Sequence, residues 1–145
     1  MADVDIKFRD LQCAATAAKT LGGELVLNKK TFEWYGQFLN DWRSDRAAVN
    51  RRDPKTFGKC DHVIRFPNTT YEIGLCKEDD GSFTAVYDSY GPQGRTLEQK
   101  CGGVGLPKLK DEYAAAVSIR TLARKGFRVT RTTDKQGAIV LKAVS

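Results

Sequence analysis

The stretch from Cys60 to Tyr90, CDHVIRFPNTTYEIGLCKEDDGSFTAVYDSY, constrains the fold more than any other part of the chain. Apolar and polar residues alternate through CDHVIRF, YEIGLCK and SFTAVYDSY, the pattern of strands in a half-buried antiparallel sheet. The breaks fall at Pro67-Asn68-Thr69-Thr70 and at Glu78-Asp79-Asp80-Gly81. Both are turn chemistry, and Asp80-Gly81 is a strong hairpin signal because glycine tolerates positive φ. Three consecutive antiparallel strands are therefore predicted, and the rest of the chain has to cover them.

Upstream, Val4, Ile6 and Phe8 alternate with Asp5 and Lys7 as a first strand. From Asp10 the period changes. Leu11, Ala14, Ala15, Ala18 and Leu21 form the stripe of an amphipathic helix, with Asp10 as the expected N-cap and Gly22-Gly23 as its C-terminal stop. A short strand, Glu24-Leu25-Val26-Leu27, follows. Downstream, a helix is predicted from Pro107 to Lys125, with Leu109, Tyr113, Ala116, Val117, Leu122 and Ala123 on one face and proline at its first turn. Residues 127–132 and 138–142 then pair as a closing hairpin across Asp134-Lys135-Gln136-Gly137. The whole predicts one α+β domain over residues 1–145. Its architecture is a two-layer sandwich, a mostly antiparallel sheet with two helices on one face. Two irregular stretches interrupt it: an insertion at residues 29–59 and a glycine-rich loop at 91–105.

No apolar run approaches the ~20 residues that cross a bilayer, so no membrane partner is expected. The acidic start Met1-Ala2-Asp3-Val4-Asp5 is unlike a secretory signal, which leads to a cytoplasmic expectation. Cys13, Cys60, Cys76 and Cys101 are scattered without a CxxC, and read as free thiols in a reducing compartment. The formal net charge of +6 favours anionic partners such as nucleic acid, nucleotides or acidic protein faces.

The insertion interleaves Trp34, Tyr35 and Trp42 with Arg43, Arg46, Arg51, Arg52 and Lys55. Rings that stack on bases beside guanidinium groups that meet phosphates are what nucleotide and single-strand sites use. The alternative is that these rings pin the insertion to the domain while its charges are solvated. The second candidate is the run Lys100-Cys101-Gly102-Gly103-Val104-Gly105, where glycine backbone feeding a helix N-terminus suits a phosphate. Its spacing fits neither GxGxxG nor GxxxxGK[ST], and a flexible loop is the alternative. The basic residues of the last helix, with Arg128 and Arg131, form a further electropositive strip or complement the helix dipole.

Catalytic chemistry is weakly represented. Cys60 and His62, two apart on a strand, are expected on one sheet face, but their spacing with Cys76 and Cys101 matches no closed zinc motif. No catalytic residue, metal or cofactor is assigned. Asp79, Asp80 and Asp88 are explained by turns.

Asp61-His62-Val63-Ile64-Arg65 with Tyr71-Glu72-Ile73-Gly74 resembles a "DVVIR…YDIGF" hairpin, and Ile6-Lys7 an N-terminal "IK" strand. Tyr113-Ala114 and Gly126-Phe127-Arg128-Val129 are similar to a "YA…V…A…GF.V" junction, and Gly137-Ala138-Ile139-Val140-Leu141 to a "G.I.L" last strand. These motifs belong to a small uncharacterised reading-frame family of algal plastids and cyanobacteria, also found in other bacteria and phages and labelled a domain of unknown function. The resemblance spans nearly the whole chain and implies no activity, cofactor or catalytic residue. Cys60 and His62 replace a small residue and a valine of that pattern, so it implies no shared metal or thiol site. Both irregular stretches are longer than the common core, which implies that any function peculiar to this chain lies there.

The sequence thus leads to a non-catalytic binding protein for an anionic ligand, a nucleotide-like molecule or a short nucleic acid, with sequestration as one role. Trp34, Tyr35 and Trp42 would stack, Arg43, Arg46, Arg51, Arg52 and Lys55 would meet phosphates, and Lys100, Gly102 and Gly103 would close over the ligand. The alternative is an interaction or adaptor subunit, or a homo-oligomeric module, that docks through its aromatic insertion. A hydrolase or metalloenzyme using Cys60 and His62 is a third reading.

Overall fold

The computed structural model describes residues 1–36 and 57–145. Strand β1 (Ala2–Phe8) buries Val4 and Phe8 and turns Asp3, Asp5 and Lys7 the other way. Helix α1 (Leu11–Thr20) begins where expected, because the Asp10 carboxylate accepts the N–H groups of Gln12 at 2.9 Å and Cys13 at 3.1 Å. It ends in a Schellman pattern: the Gly22 N–H donates to Lys19 O and the Gly23 N–H to Ala18 O, with Gly22 at φ +89°. Gly23 is needed for space as well, since a Cβ there would stand 2.5 Å from the Phe66 ring.

Strands β2 (Glu24–Val26), β3 (His62–Arg65), β4 (Ile73–Lys77) and β5 (Phe83–Tyr87) complete a five-stranded sheet of order β1-β5-β4-β3-β2. Every neighbouring pair is antiparallel, with Leu25 opposite Ile64 and Ile64 opposite Ile73. The turn between β4 and β5 closes as the Asp-Gly signal requires: Gly81 takes φ +85°, and the Glu78 N–H donates to Ser82 O at 2.8 Å.

Among the described residues three helices, rather than the two expected, cover one face. Residues 91–105 were expected to be a loop, but Gly91–Lys100 form helix α2. Pro92 sits in its first turn, and Leu97 and Cys101, one turn apart, are both fully buried. Two glycines and a polar composition hid this helix; only the burial of its apolar residues against the sheet stabilises it. Helix α3 (Pro107–Arg124) adds Leu109 and Tyr113 to the same core, which also holds Phe8, Ala14, Ala17, Ile64, Ile73, Leu75 and Tyr87. Strands β6 (Arg128–Thr133) and β7 (Ile139–Val144) form the expected closing hairpin, as a separate two-stranded ribbon packed on α3.

The opposite face of the sheet is not left to solvent. Phe32, Val63 and Val86 form a second, smaller core with Met1, Trp34, Cys60 and Cys76 around it. Gly74 makes this possible, because a Cβ there would overlap the Phe32 ring. The described ends of the insertion close on each other: Thr31 bridges Lys59, the Phe32 N–H donates to Gly58 O, and the Cys60 N–H donates to Lys30 O.

Candidate anion-binding surface

Two buried carboxylates root the insertion on the second face. Glu72, 6% exposed, accepts the Glu33 N–H at 2.9 Å and the Lys29 ammonium at 2.9 Å. Asp88, 5% exposed, accepts the Tyr35 N–H through one oxygen and the Tyr90 N–H through the other, both at 2.9 Å. Hydrogen bonds to charged groups contribute about 1.5–3 kcal/mol each, so this root is firmly held. Asp88 is therefore more than a strand-end turn residue; nothing in the sequence marked it as an anchor across 53 residues.

Trp34 packs edge-on against Phe57, with centroids 5.7 Å apart, and its indole lies where a Gly58 Cβ would stand. It pins the insertion in the way the packing alternative describes. Tyr35 is exposed and meets the Tyr90 ring at 4.8 Å. Tyr71 lies beside them; burial, then the Asp88 carboxylate and the two neighbouring phenols, raise its pKa. Trp42, Arg43, Arg46, Arg51, Arg52 and Lys55 lie outside the described residues, as does the helical turn expected at Phe38–Trp42.

The glycine-rich half is placed elsewhere. Tyr90, which meets Tyr35, is the N-cap of α2, whereas Lys100, Gly102 and Gly103 sit at that helix's other end, about 15 Å away for ten residues. Their backbone is engaged as well. The Gly102 N–H donates to Gln99 O and the Gly103 N–H to Glu98 O, capping α2, while the Gly105 N–H donates to the Tyr87 hydroxyl. The Lys108 N–H at the start of α3 donates to Cys101 O at 2.8 Å. These N–H groups serve the turn between two helices, and Lys100 extends over Gly22 at the C-terminus of α1, where its charge complements the dipole. The two expected halves of the ligand site are thus not brought together among the described residues.

Cys60 and His62 diverge instead of sharing a face. The Cys60 thiol donates to Lys29 O within the second core, whereas the His62 ring lies 5.2 Å from Phe83, a residue of the first. The bend at Asp61 separates them. Burial, with Cys76 and Asp61 nearby, pushes the Cys60 thiol up to about 12, and burial does the same for Cys101. A thiol held protonated is a poor nucleophile and metal ligand. A cleft of about 250 Å³ opens beside Cys60, walled by Met1, Phe32, Phe57, Cys76 and Val86. No group of three or more His, Cys, Asp or Glu side chains suited to a metal occurs among the described residues. None of the helices among them is long and apolar enough to cross a membrane.

The charge is concentrated at the far end of the chain. Residues 120–145 hold seven Lys and Arg against one acid, Asp134, an excess equal to the +6 of the whole sequence. Two of the seven are neutralised: Arg120 pairs with Asp10 at 3.0 Å, and Arg131 makes a two-pronged pair with Glu112 at 2.7 and 2.6 Å. Arg124, Lys125, Arg128, Lys135 and Lys142 are exposed and form no ion pair among the described residues. Of the strip expected around Arg128 and Arg131, Arg128 is exposed and Arg131 is paired with Glu112 on α3 while staying partly exposed. Elsewhere the basic residues are widely paired, as in Lys7 and Arg9 with Asp80, Lys30 with Asp61, and Arg65 with Glu24.

No family model, curated protein or solved structure matches this chain.

Proposed function

We propose that this protein is a non-catalytic binding module for a phosphate-bearing anionic ligand, with nucleic acid the class that suits it best. The observation that carries this reading is the cluster of five exposed cations, unpaired among the described residues, on the C-terminal end of α3 and the β6–β7 ribbon. Surface cations in large excess over acids raise the local concentration of polyanions, and phosphate contacts release condensed counterions. The aromatic–basic insertion belongs to the same reading as a second contact region, its described start at Glu33 and Tyr35 held through Glu72 and Asp88. The family resemblance adds no activity to it.

The test is binding of a labelled mixed-sequence oligonucleotide by fluorescence anisotropy at rising salt. Affinity is expected to fall steeply, by a factor of about 10 or more between 50 and 200 mM, as several released counterions require. Salt-insensitive binding, or none at low salt, overturns the reading.

One observation favours a protein-docking alternative. Phe127, Val140 and Val144 are 36%, 43% and 41% exposed on the same end of the molecule. A native mass of more than one chain, with no anion bound, would support it.

A further inference from the structure

We infer that the element that recognises the ligand is the β6–β7 ribbon, and that the ligand is B-form duplex DNA with the ribbon seated in its major groove. This rests on the anion-binding reading above and narrows it.

Six antiparallel pairs, from Arg128 opposite Val144 to Thr133 opposite Ile139, make the ribbon about 20 Å long and two strands wide. The major groove, about 12 Å wide and 8.5 Å deep, admits a two-stranded ribbon. Alternation assigns the faces. Val129, Arg131, Ile139 and Leu141 lie on one side; the three apolar residues are half-buried, and Arg131 is clamped by Glu112 of α3. That clamp fixes which side of the ribbon points away from the protein.

The outward side carries Arg128, Thr130, Thr132, Val140, Lys142 and Val144, all exposed. The Thr132 hydroxyl and the two cations suit base-edge and phosphate acceptors, the Thr130 hydroxyl donates to Lys142 O at 3.5 Å and leaves its oxygen to accept, and the valine and threonine methyls suit thymine methyl groups. No carboxylate competes on this side. Asp134, the acid of the connecting turn, accepts the N–H groups of Gln136 at 2.9 Å and Ala138 at 2.8 Å through one oxygen. Arg124 and Lys125, at the ribbon's base, extend the charge toward flanking phosphates.

The same side separates duplex DNA from the other nucleic acids. It bears no aromatic ring, and single strands are held largely by stacking. The major groove of A-form RNA is too narrow for side chains to read.

The experiment measures binding of the full chain to a 20-base-pair DNA duplex, its single strand and the matching RNA duplex at low salt. Duplex DNA is expected to bind tightest. Arg128→Ala/Lys142→Ala is expected to weaken it about tenfold or more, and Thr130→Ala/Thr132→Ala to flatten the difference between duplexes of different sequence. Lys77→Ala, on β4, is the control that leaves binding near native. Circular dichroism and thermal melting verify folding, since exposed substitutions usually leave stability near native. Equal or tighter binding of single strands or RNA, or native affinity in the Arg128/Lys142 variant, overturns the ribbon assignment and leaves anion binding standing. Failure of every nucleic acid and nucleotide to bind at low salt overturns both.

Discussion

His62 is the single histidine of the chain, and its environment makes it a reporter of the junction between the sheet and the insertion. Its Nδ1 accepts the Asn28 N–H at 2.9 Å, which requires that nitrogen to be unprotonated. Burial, followed by the Lys30 ammonium, lowers its pKa below 6.5, and Asp61 opposes the shift without reversing it. A depressed folded-state pKa means the contribution to stability is present above the unfolded value near 6.5 and is lost as pH falls through the folded value. The imidazole resonances of the folded protein should titrate with a midpoint below 6.5, and stability should decline on acidification through that midpoint. A midpoint at or above 6.5 would show that the Asn28 bond contributes nothing.

Among the elements, the junction of β1, α1 and α3 has the clearest hidden dependence. The Tyr113 hydroxyl on α3 accepts the Arg9 N–H at 2.7 Å and the Asp10 N–H at 3.1 Å, just before α1 begins. Its ring meanwhile packs edge-on against Phe8 with centroids 4.6 Å apart. Arg120, two turns further along α3, reaches the Asp10 carboxylate that caps α1. Tyr113→Phe keeps the ring contact and leaves two part-buried donors without their acceptor, so a loss of about 1–3 kcal/mol is expected. Urea denaturation measures it; an unchanged midpoint would mean that water replaces the hydroxyl at no cost. The same element logic explains α2, whose helix is stabilised by burial of Leu97 and Cys101 rather than by its own residues' propensities.

Among the described residues, the arrangement is a five-stranded sheet with helices on one face, the ends of the insertion on the other, and a cationic ribbon standing on α3. Like charges concentrated in residues 120–145 repel one another until a polyanion neutralises them. Inorganic polyphosphate should therefore raise the melting temperature in a concentration-dependent way. Linkage gives about 2.7 kcal/mol at a free concentration 100 times the dissociation constant. Differential scanning fluorimetry would check this, with sodium chloride at matched ionic strength as the reference. Equal shifts from both would assign the effect to general screening and count against a polyanion site.

The strands themselves, the Asp10 cap, the glycine stop of α1, the Asp80-Gly81 turn and the closing hairpin are legible in the sequence because each rests on interactions within a few residues, whereas pairings such as Ala2 with Tyr87 and Glu24 with Arg65 are not. Periodicity, capping and positive φ are local properties, and they determined an α+β chain with a largely antiparallel sheet. What the tertiary structure decided depends on residues far apart. Gly91–Lys100 is a helix because the core accepts Leu97 and Cys101; Cys60 and His62 part because two cores lie on opposite sides of one sheet; and the glycines after α2 spend their N–H groups on its C-terminus. The charge asymmetry was written in the sequence, but which cations stay free was not. Arg120 and Arg131 are neutralised by Asp10 and Glu112, 110 and 19 residues away, and only folding brings those carboxylates within reach.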